Sequence, residues 1–329
     1  MKKSSTAPAQ ICLGLDIAKA KADVCLLRPD GQYVEAVFEN TNDGHRRLLE
    51  WIELHTQKAS VHAGLESTGS YSRAWCDLLH AAGHTVSLLN PARPKAYAQA
   101  CGQRNKTDRV DARLLARFVA DQKPHRWTPP DDAVDQLKEL VRRREDLLVL
   151  RQSEKNRLAA SRSGLVRESL ARSIKSLDQE IARIQKDLDK LVDNNAKLKK
   201  DEQLLCTLKG VGKVTARKIM AELPDTSHFE RGRQAAAYAG LCPRRHESGS
   251  SVRRGGKLSK VGNASLRKAL YLPAVTAMKH NPLLKIFGER LLSEGKPKMV
   301  VVGAVMHKLL RIAFAILKSQ KPFDPTHVS

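Results

Sequence analysis

The sequence predicts an α/β domain followed by mostly helical segments. Three observations predict it. The first third alternates short apolar runs with amphipathic stretches, three strand-like runs coming first. The middle is charged, free of proline and helical in pattern over residues 132–201. The last third returns to helical spacing around glycine-containing turns. At 329 residues there is core enough for two or three domains, here drawn at 8–128, 132–201 and 203–325.

Ile11 to Ile17 reads as a buried strand that contains Asp16. Ala22 to Leu27 and Tyr33 to Phe38 read as a hairpin, joined through Pro29-Asp30-Gly31. A helix follows over Asp43 to His55, with Leu48, Leu49 and Ile52 on one face. Val61 to Leu65 is a fourth strand, with Glu66 at its end. Tyr71 to Ala82 is a helix stopped by Gly83, and Thr85 to Leu89 a fifth strand. Three strands followed by alternating helix and strand is the ribonuclease-H-like order, a mixed sheet with its hairpin first.

That order aims Asp16 and Glu66 at one point if their strands are neighbours. Asp108 and Asp111 begin a helix running toward Ala120, and their i, i+3 spacing puts both on one face. An aspartate at a helix start is more often a cap or dipole partner than a ligand. Asp16 is different, because it interrupts an apolar strand, where an unpaired carboxylate is unfavourable. Four gathered carboxylates repel unless a cation joins them, and Mg²⁺ takes such oxygen ligands.

The charge points to a polyanionic partner. The formal net charge is +23, and residues 205–325 hold 23 Lys and Arg against 7 Asp and Glu. Aromatic residues are only 4%, so phosphate contacts by Arg and Lys explain nucleic-acid binding better than base stacking. The six cysteines form no Cys-x-x-Cys pair, which argues against structural zinc and for reduced core thiols. Met1 to Gln10 lacks the apolar core of a signal peptide and is expected to be a disordered lead-in. No apolar run is expected to reach membrane-spanning length.

Trp127-Thr128-Pro129-Pro130 marks a break. Beyond it, Ile174, Leu177, Ile181, Ile184, Leu188 and Leu191 follow at spacings of 3, 4, 3, 4 and 3. This heptad seam serves a helical hairpin bent near Ser161 to Gly164, or a coiled coil between chains. Lys209-Gly210-Val211-Gly212-Lys213 resembles a helix-hairpin-helix turn, whose glycines let backbone N–H groups approach a phosphate. Phe229 to Leu241 reads as a helix, and Ser265 to Lys318 as helical framing. Between them Ser248-Gly249-Ser250-Ser251 reads as a loop in a basic patch. From Arg244 to Lys268 there are 8 basic residues, including Arg245, Arg253, Arg254, Lys257 and Lys260, against the single acid Glu247. Such a loop is a phosphate clamp or presents a serine nucleophile, and composition favours the clamp.

Four motifs carry a resemblance to a known family. They are Gly14-Leu15-Asp16-Ile17-Ala18-Lys19, Glu66-Ser67-Thr68-Gly69 with Tyr71, Arg104 through Lys106 and Asp108 to Arg113, and Ala239 through Arg245 to Ser251. From about Ile11 to Pro325 the chain resembles the DEDD transposases of the insertion-sequence one-hundred-and-ten family, the bridge-RNA-guided recombinases. The resemblance implies a RuvC-like domain, a coiled-coil spacer and a transposase domain. It implies that Asp16, Glu66, Asp108 and Asp111 bind Mg²⁺ or Mn²⁺, and that Ser248 is the nucleophile, which reverses the preference for a clamp. It implies donor and target double-stranded DNA and a non-coding bridge RNA as partners, and a tetramer of two dimers. Phosphate contacts are assigned to Lys19, Arg104, Lys106, Lys209, Gly210, Gly212, Lys213, Arg244, Arg245, Arg253, Arg254, Lys257 and Lys260. The expected location is the bacterial cytoplasm, at the nucleoid and away from membranes. Three alternatives stay open: a RuvC-like nuclease or junction resolvase using water, an RNA-independent DNA invertase, and a non-catalytic nucleic-acid-binding protein.

Overall fold

The computed structural model describes residues 10–67, 71–103, 108–223, 226, 229–248 and 252–325, with the backbone alone at 244–248 and 252–257. The chain divides after Pro129 into two compact units.

In the first unit, β1 (Cys12–Ile17), β2 (Lys21–Leu27), β3 (Tyr33–Glu39), β4 (His62–Glu66) and β5 (Thr85–Leu89) form one mixed sheet in the order β3-β2-β1-β4-β5. β1 to β3 pair antiparallel, while β4 runs parallel to both β1 and β5. The period of two decides which residues face which layer. Leu13, Leu15 and Ile17 enter the core that also takes Leu48 and Ile52 of α1 (Asn42–Thr56) and Trp75 and Leu79 of α2 (Tyr71–Ala81). The intervening Gly14 lies against α4 (Asp108–Gln122). A short helix unforeseen in the sequence, α3 (Ala92–Ala100), precedes α4; its apolar residues make no stripe, so periodicity does not announce it. Trp127 donates its backbone N–H to Val86 O and packs on the core, so the chain covers the β5 edge before leaving the unit.

The cysteines are all free. Burial pushes the Cys25 and Cys76 thiols up to about 12, so they stay protonated as apolar filling.

The second unit begins with α5 (Asp132–Ala160) and α6 (Gly164–Asn194), which pack on each other within the chain. The break between them falls at 161–163, where the sequence places the bend. Leu137 and Val141 of α5 and Leu188 and Val192 of α6 belong to the core of the remaining helices. These are α7 (Ala196–Cys206), α8 (Lys213–Glu222), α9 (Gly232–Tyr238), α10 (Ala264–Ala269), α11 (Tyr271–His280), α12 (Pro282–Ser293) and α13 (Lys298–Ser319). The helix read over Phe229 to Leu241 is thus shorter. The sequence promises no apolar stretch of spanning length, yet α13 is, among the described residues, a helix long and apolar enough to cross a membrane. Its apolar residues have a different use here: Val301, Val305, Leu309 and Ala313 are fully buried in the helical core.

One buried polar group ties the unit together. The Glu222 carboxylate accepts from Arg142 Nε at 3.0 Å and from Asn263 Nδ2 at 2.9 Å. Burial works to raise its pKa, but the bonds from Arg142 and Asn263 outweigh burial and hold it below the ordinary carboxylate value. The group therefore stabilises the fold above the unfolded pKa near ~4.3, and loses that contribution as pH falls through its lower folded value. Glu222→Gln is expected to lower stability by about 2 kcal/mol at pH 7. The deficit should shrink toward zero in denaturant titrations as pH falls through that lowered folded value.

Candidate functional site

The site in the first unit is set by how closely α4 lies on the sheet. Gly14 and Gly64 are in register on the adjacent parallel strands β1 and β4. A Cβ on Gly14 would stand 2.1 Å from Ala112 O, and one on Gly64 would stand 2.3 Å from Val119 Cγ2. Both positions therefore face α4, and strand alternation puts Asp16 and Glu66, two residues on, on the same face. Leu15 and Leu65 are paired, so Asp16 and Glu66 occupy matching positions at the carboxyl ends of their strands. Both are half-buried.

The first turn of α4 carries Asp108 and Asp111. Lys21 Nζ lies 2.8 Å from Asp23 Oδ2 and 3.3 Å from Asp108 Oδ2, and Asp23 stands directly opposite Asp16 in the β1–β2 ladder. The helix start is thereby tied to the strand end that carries Asp16. The bond to Asp23, and then that to Asp108, raise the Lys21 ammonium above its ordinary pKa. Further along, Arg109 and Arg113, one turn apart, both donate to the half-buried Glu35 carboxylate of β3. The Arg113 guanidinium also lies over the Tyr33 ring, 5.3 Å from its centroid.

The structure thus brings backbone positions 16, 66, 108 and 111 to one face. The donor set consists of carboxylates alone, which suits a hard cation such as Mg²⁺. Among the described residues, no three His, Cys, Asp or Glu side chains close on a common point, and Asp16, Glu66 and Asp111 are each engaged with neighbouring groups. Asp23 was missed in the sequence. The signal was there: like Asp16, it is an acid inside an apolar strand, and Lys21 two residues earlier marks its face.

Lys19 is exposed in the β1–β2 turn. Arg104 and Lys106 lie outside the described residues, as do the side chains of Arg244, Arg245, Ser248, Arg253, Arg254 and Lys257.

In the second unit, Lys209 to Lys213 form the turn between α7 and α8. Gly210 has φ +106°, and a Cβ there would meet Ala277 Cβ of α11 at 2.8 Å, so only glycine suits this approach. Gly212 is the N-cap of α8 and has no side chain to cap it. Lys209 and Lys213 are exposed.

Two antiparallel strands unforeseen in the sequence, β6 (Pro243–Ser248) and β7 (Val252–Leu258), flank the loop expected at Ser248 to Ser251, whose residues 249–251 lie outside the described residues. Arginine and glycine replace the apolar alternation that would announce a strand, which is why the sequence hides it. Ser248 ends β6 opposite Val252, and Arg253 stands opposite Glu247 in the backbone ladder. The base of the hairpin is anchored. Ser259 N donates to Cys242 O, Arg267 Nη1 donates to Ala239 O and Lys260 O, and Leu258 sits against the position of Gly303 in α13. Lys260 is exposed at this base, with φ +55°.

Comparison with known proteins agrees along the chain. Residues 13–161 match a family model of IS110 DEDD proteins described as "Transposase", and residues 202–289 match "Transposase IS116/IS110/IS902 family". A pilin gene-inverting protein of Moraxella bovis is 33% identical over 317 residues, covering 95% of this chain and 97% of its own. A probable family 20 transposase of Pseudomonas aeruginosa is 26% identical, covering 79% and 85%. A transposase for insertion sequence element IS1111A of Coxiella burnetii is 25% identical, covering 82% and 78%.

Gly14→Ala is expected to lower stability by about 1–3 kcal/mol, because backbone rather than a flexible side chain meets the new methyl. Amide exchange over 108–122 should quicken at the same time. Gly164→Ala, where a Cβ meets nothing within 4 Å, should leave both unchanged.

Proposed function

The chain belongs to the IS116/IS110/IS902 family of transposases, and from that membership we propose that it is an RNA-guided DNA recombinase with a RuvC-like acidic site and a serine nucleophile. Recombination of DNA is the family's business; the guide, the metal and the serine are the proposal. The observation that carries the metal-site part is the seat of α4 on Gly14, which sets Asp108 and Asp111 on the face of Asp16 and Glu66.

Asp16, Glu66, Asp108 and Asp111 would hold Mg²⁺ or Mn²⁺. When bound, the ion polarises a scissile phosphate and stabilises a leaving 3′ oxygen. The Ser248 Oγ attacks phosphorus, so that an Oγ–P bond forms as the P–O3′ bond breaks. The serine proton is given up and the 3′ oxygen ends as a hydroxyl. A 3′-hydroxyl of the partner strand then attacks the phosphoserine, a new P–O3′ bond forms, and the serine regains its proton. One phosphoester replaces another at each step, so no ATP is consumed. Two such rounds form and resolve a four-way junction.

Lys19, Arg104, Lys106, Lys209, Lys213, Arg244, Arg245, Arg253, Arg254, Lys257 and Lys260, with the backbone at Gly210 and Gly212, hold phosphates. Pairing with a bridge RNA reads the donor and target sequences. The working assembly is a tetramer of two dimers. The protein acts at the nucleoid in the bacterial cytoplasm.

A second reading has its own support. The pilin gene-inverting protein of Moraxella bovis aligns over nearly its whole length, which favours an invertase; in this reading the sites are found by protein contacts without RNA.

Recombination between donor and target plasmids, with and without RNA from the flanking non-coding end, separates the readings. Alanine at Asp16, Glu66, Asp108, Asp111 or Ser248 is expected to reduce strand exchange about a hundredfold or more while nucleic-acid binding persists. Denaturing gels of the wild-type reaction should show a protein–DNA adduct that Ser248→Ala lacks. Exchange without RNA would replace the guided reading with the invertase. Cleavage by Ser248→Ala without any adduct would leave a water-using nuclease.

A further inference from the structure

Lys21 is a cation that the fold itself places among the acids. It opens β2, and its ammonium is shared between Asp23 at 2.8 Å and Asp108 at 3.3 Å. The two sides of that bridge are unequal. The Asp23 side chain is 10% exposed and sits on a strand opposite Asp16, whereas the Asp108 side chain is 61% exposed at the start of a helix. The shorter, drier contact anchors Lys21. The longer, wetter one is the kind of ion pair that gives way readily to a better partner. A divalent cation held by several carboxylates is such a partner. A bridge whose only task was to neutralise the buried Asp23 would have no need of Asp108, which lies on another element.

We infer that Lys21 is a positioning residue that competes with the divalent cation for Asp108. Anchored by Asp23, it holds the first turn of α4 against β2 and sets the metal concentration at which the four acids fill. This rests on the metal-binding reading of the acids. It adds Lys21 and Asp23 to the residues that govern the site, neither of them touching the reacting atoms.

The inference gives the two neighbours opposite signs. Without the Lys21 ammonium, Asp108 is released to the metal and a repelling charge disappears, so affinity rises. Without the Asp23 charge, Lys21 leans further onto Asp108 and affinity falls. A residue that merely stabilised the fold would move both variants in one direction.

The test is direct binding of Mn²⁺ to the full-length protein by calorimetry. Glu66→Gln serves as the check on the underlying reading: if it binds Mn²⁺ as well as wild type, the metal site itself is refuted and this inference falls with it. Given a Glu66-dependent site, Lys21→Met is expected to bind Mn²⁺ about fivefold more tightly. Lys21→Arg, which keeps both the charge and the fold, should bind near the wild-type level, and Asp23→Asn more weakly. The gain from Lys21→Met should vanish in an Asp108→Asn background. Unchanged or weaker binding by Lys21→Met overturns the inference, and so does a gain that survives Asp108→Asn, because Lys21 would then act as a distant charge without contesting Asp108.

Discussion

Everything in the first unit depends on one close approach. Ala112 of α4 presses its carbonyl onto the place where a side chain of β1 would stand, and the Val119 side chain fills the matching place over β4. Two glycines in register, Gly14 and Gly64, make the room. Interiors pack near crystal density, so a helix admitted to this depth has little freedom to slide. The same alternation that empties positions 14 and 64 brings Asp16 and Glu66 to the surface on which the helix rests. A glycine's absent side chain thus determines where two carboxylates can work.

That seat alone would not hold a helix beginning with two acids beside two more. The ties are ionic and come from the hairpin at the front of the sheet. Glu35 of β3 takes Arg109 and Arg113, and Lys21 of β2 takes Asp108. A chain of net charge +23 therefore spends cations locally to keep its acids in position.

The second unit shows the complementary economy. Its segment from 205 to 325 is strongly basic by count, but part of that charge never reaches solvent. Arg217 lies between Glu202 and Asp189, and Lys218 is paired with Glu145. The acids that neutralise them come from α5, α6 and α7, outside the basic stretch. Buried pairs of this kind do little for net stability, yet removing one partner is strongly unfavourable. They fix α8, and with it the turn from Lys209 to Lys213, against the long helices. Charge counted along a sequence therefore overstates the charge offered to a polyanion.

The sequence by itself determined the order of the five strands and of α1, α2 and α4 in the first unit, the position of Asp16 and Glu66 at strand ends, the bend between α5 and α6, and the glycine turn before α8. These rest on local chemistry: alternation of apolar residues, turn formers, and spacing along a helix. Tertiary structure decided the rest, because the partners are far apart in the chain. Asp23 became part of the acidic face only when β2 lay against β1 and α4 came down on both. Lys218 became an interior residue only when α8 met α5. The strands around Ser248 formed from arginine and glycine with no pattern to announce them, since a two-stranded ribbon takes its register from the base that holds it. The residue types needed for chemistry were legible in order; which of them meet was decided by packing across distances that periodicity does not encode.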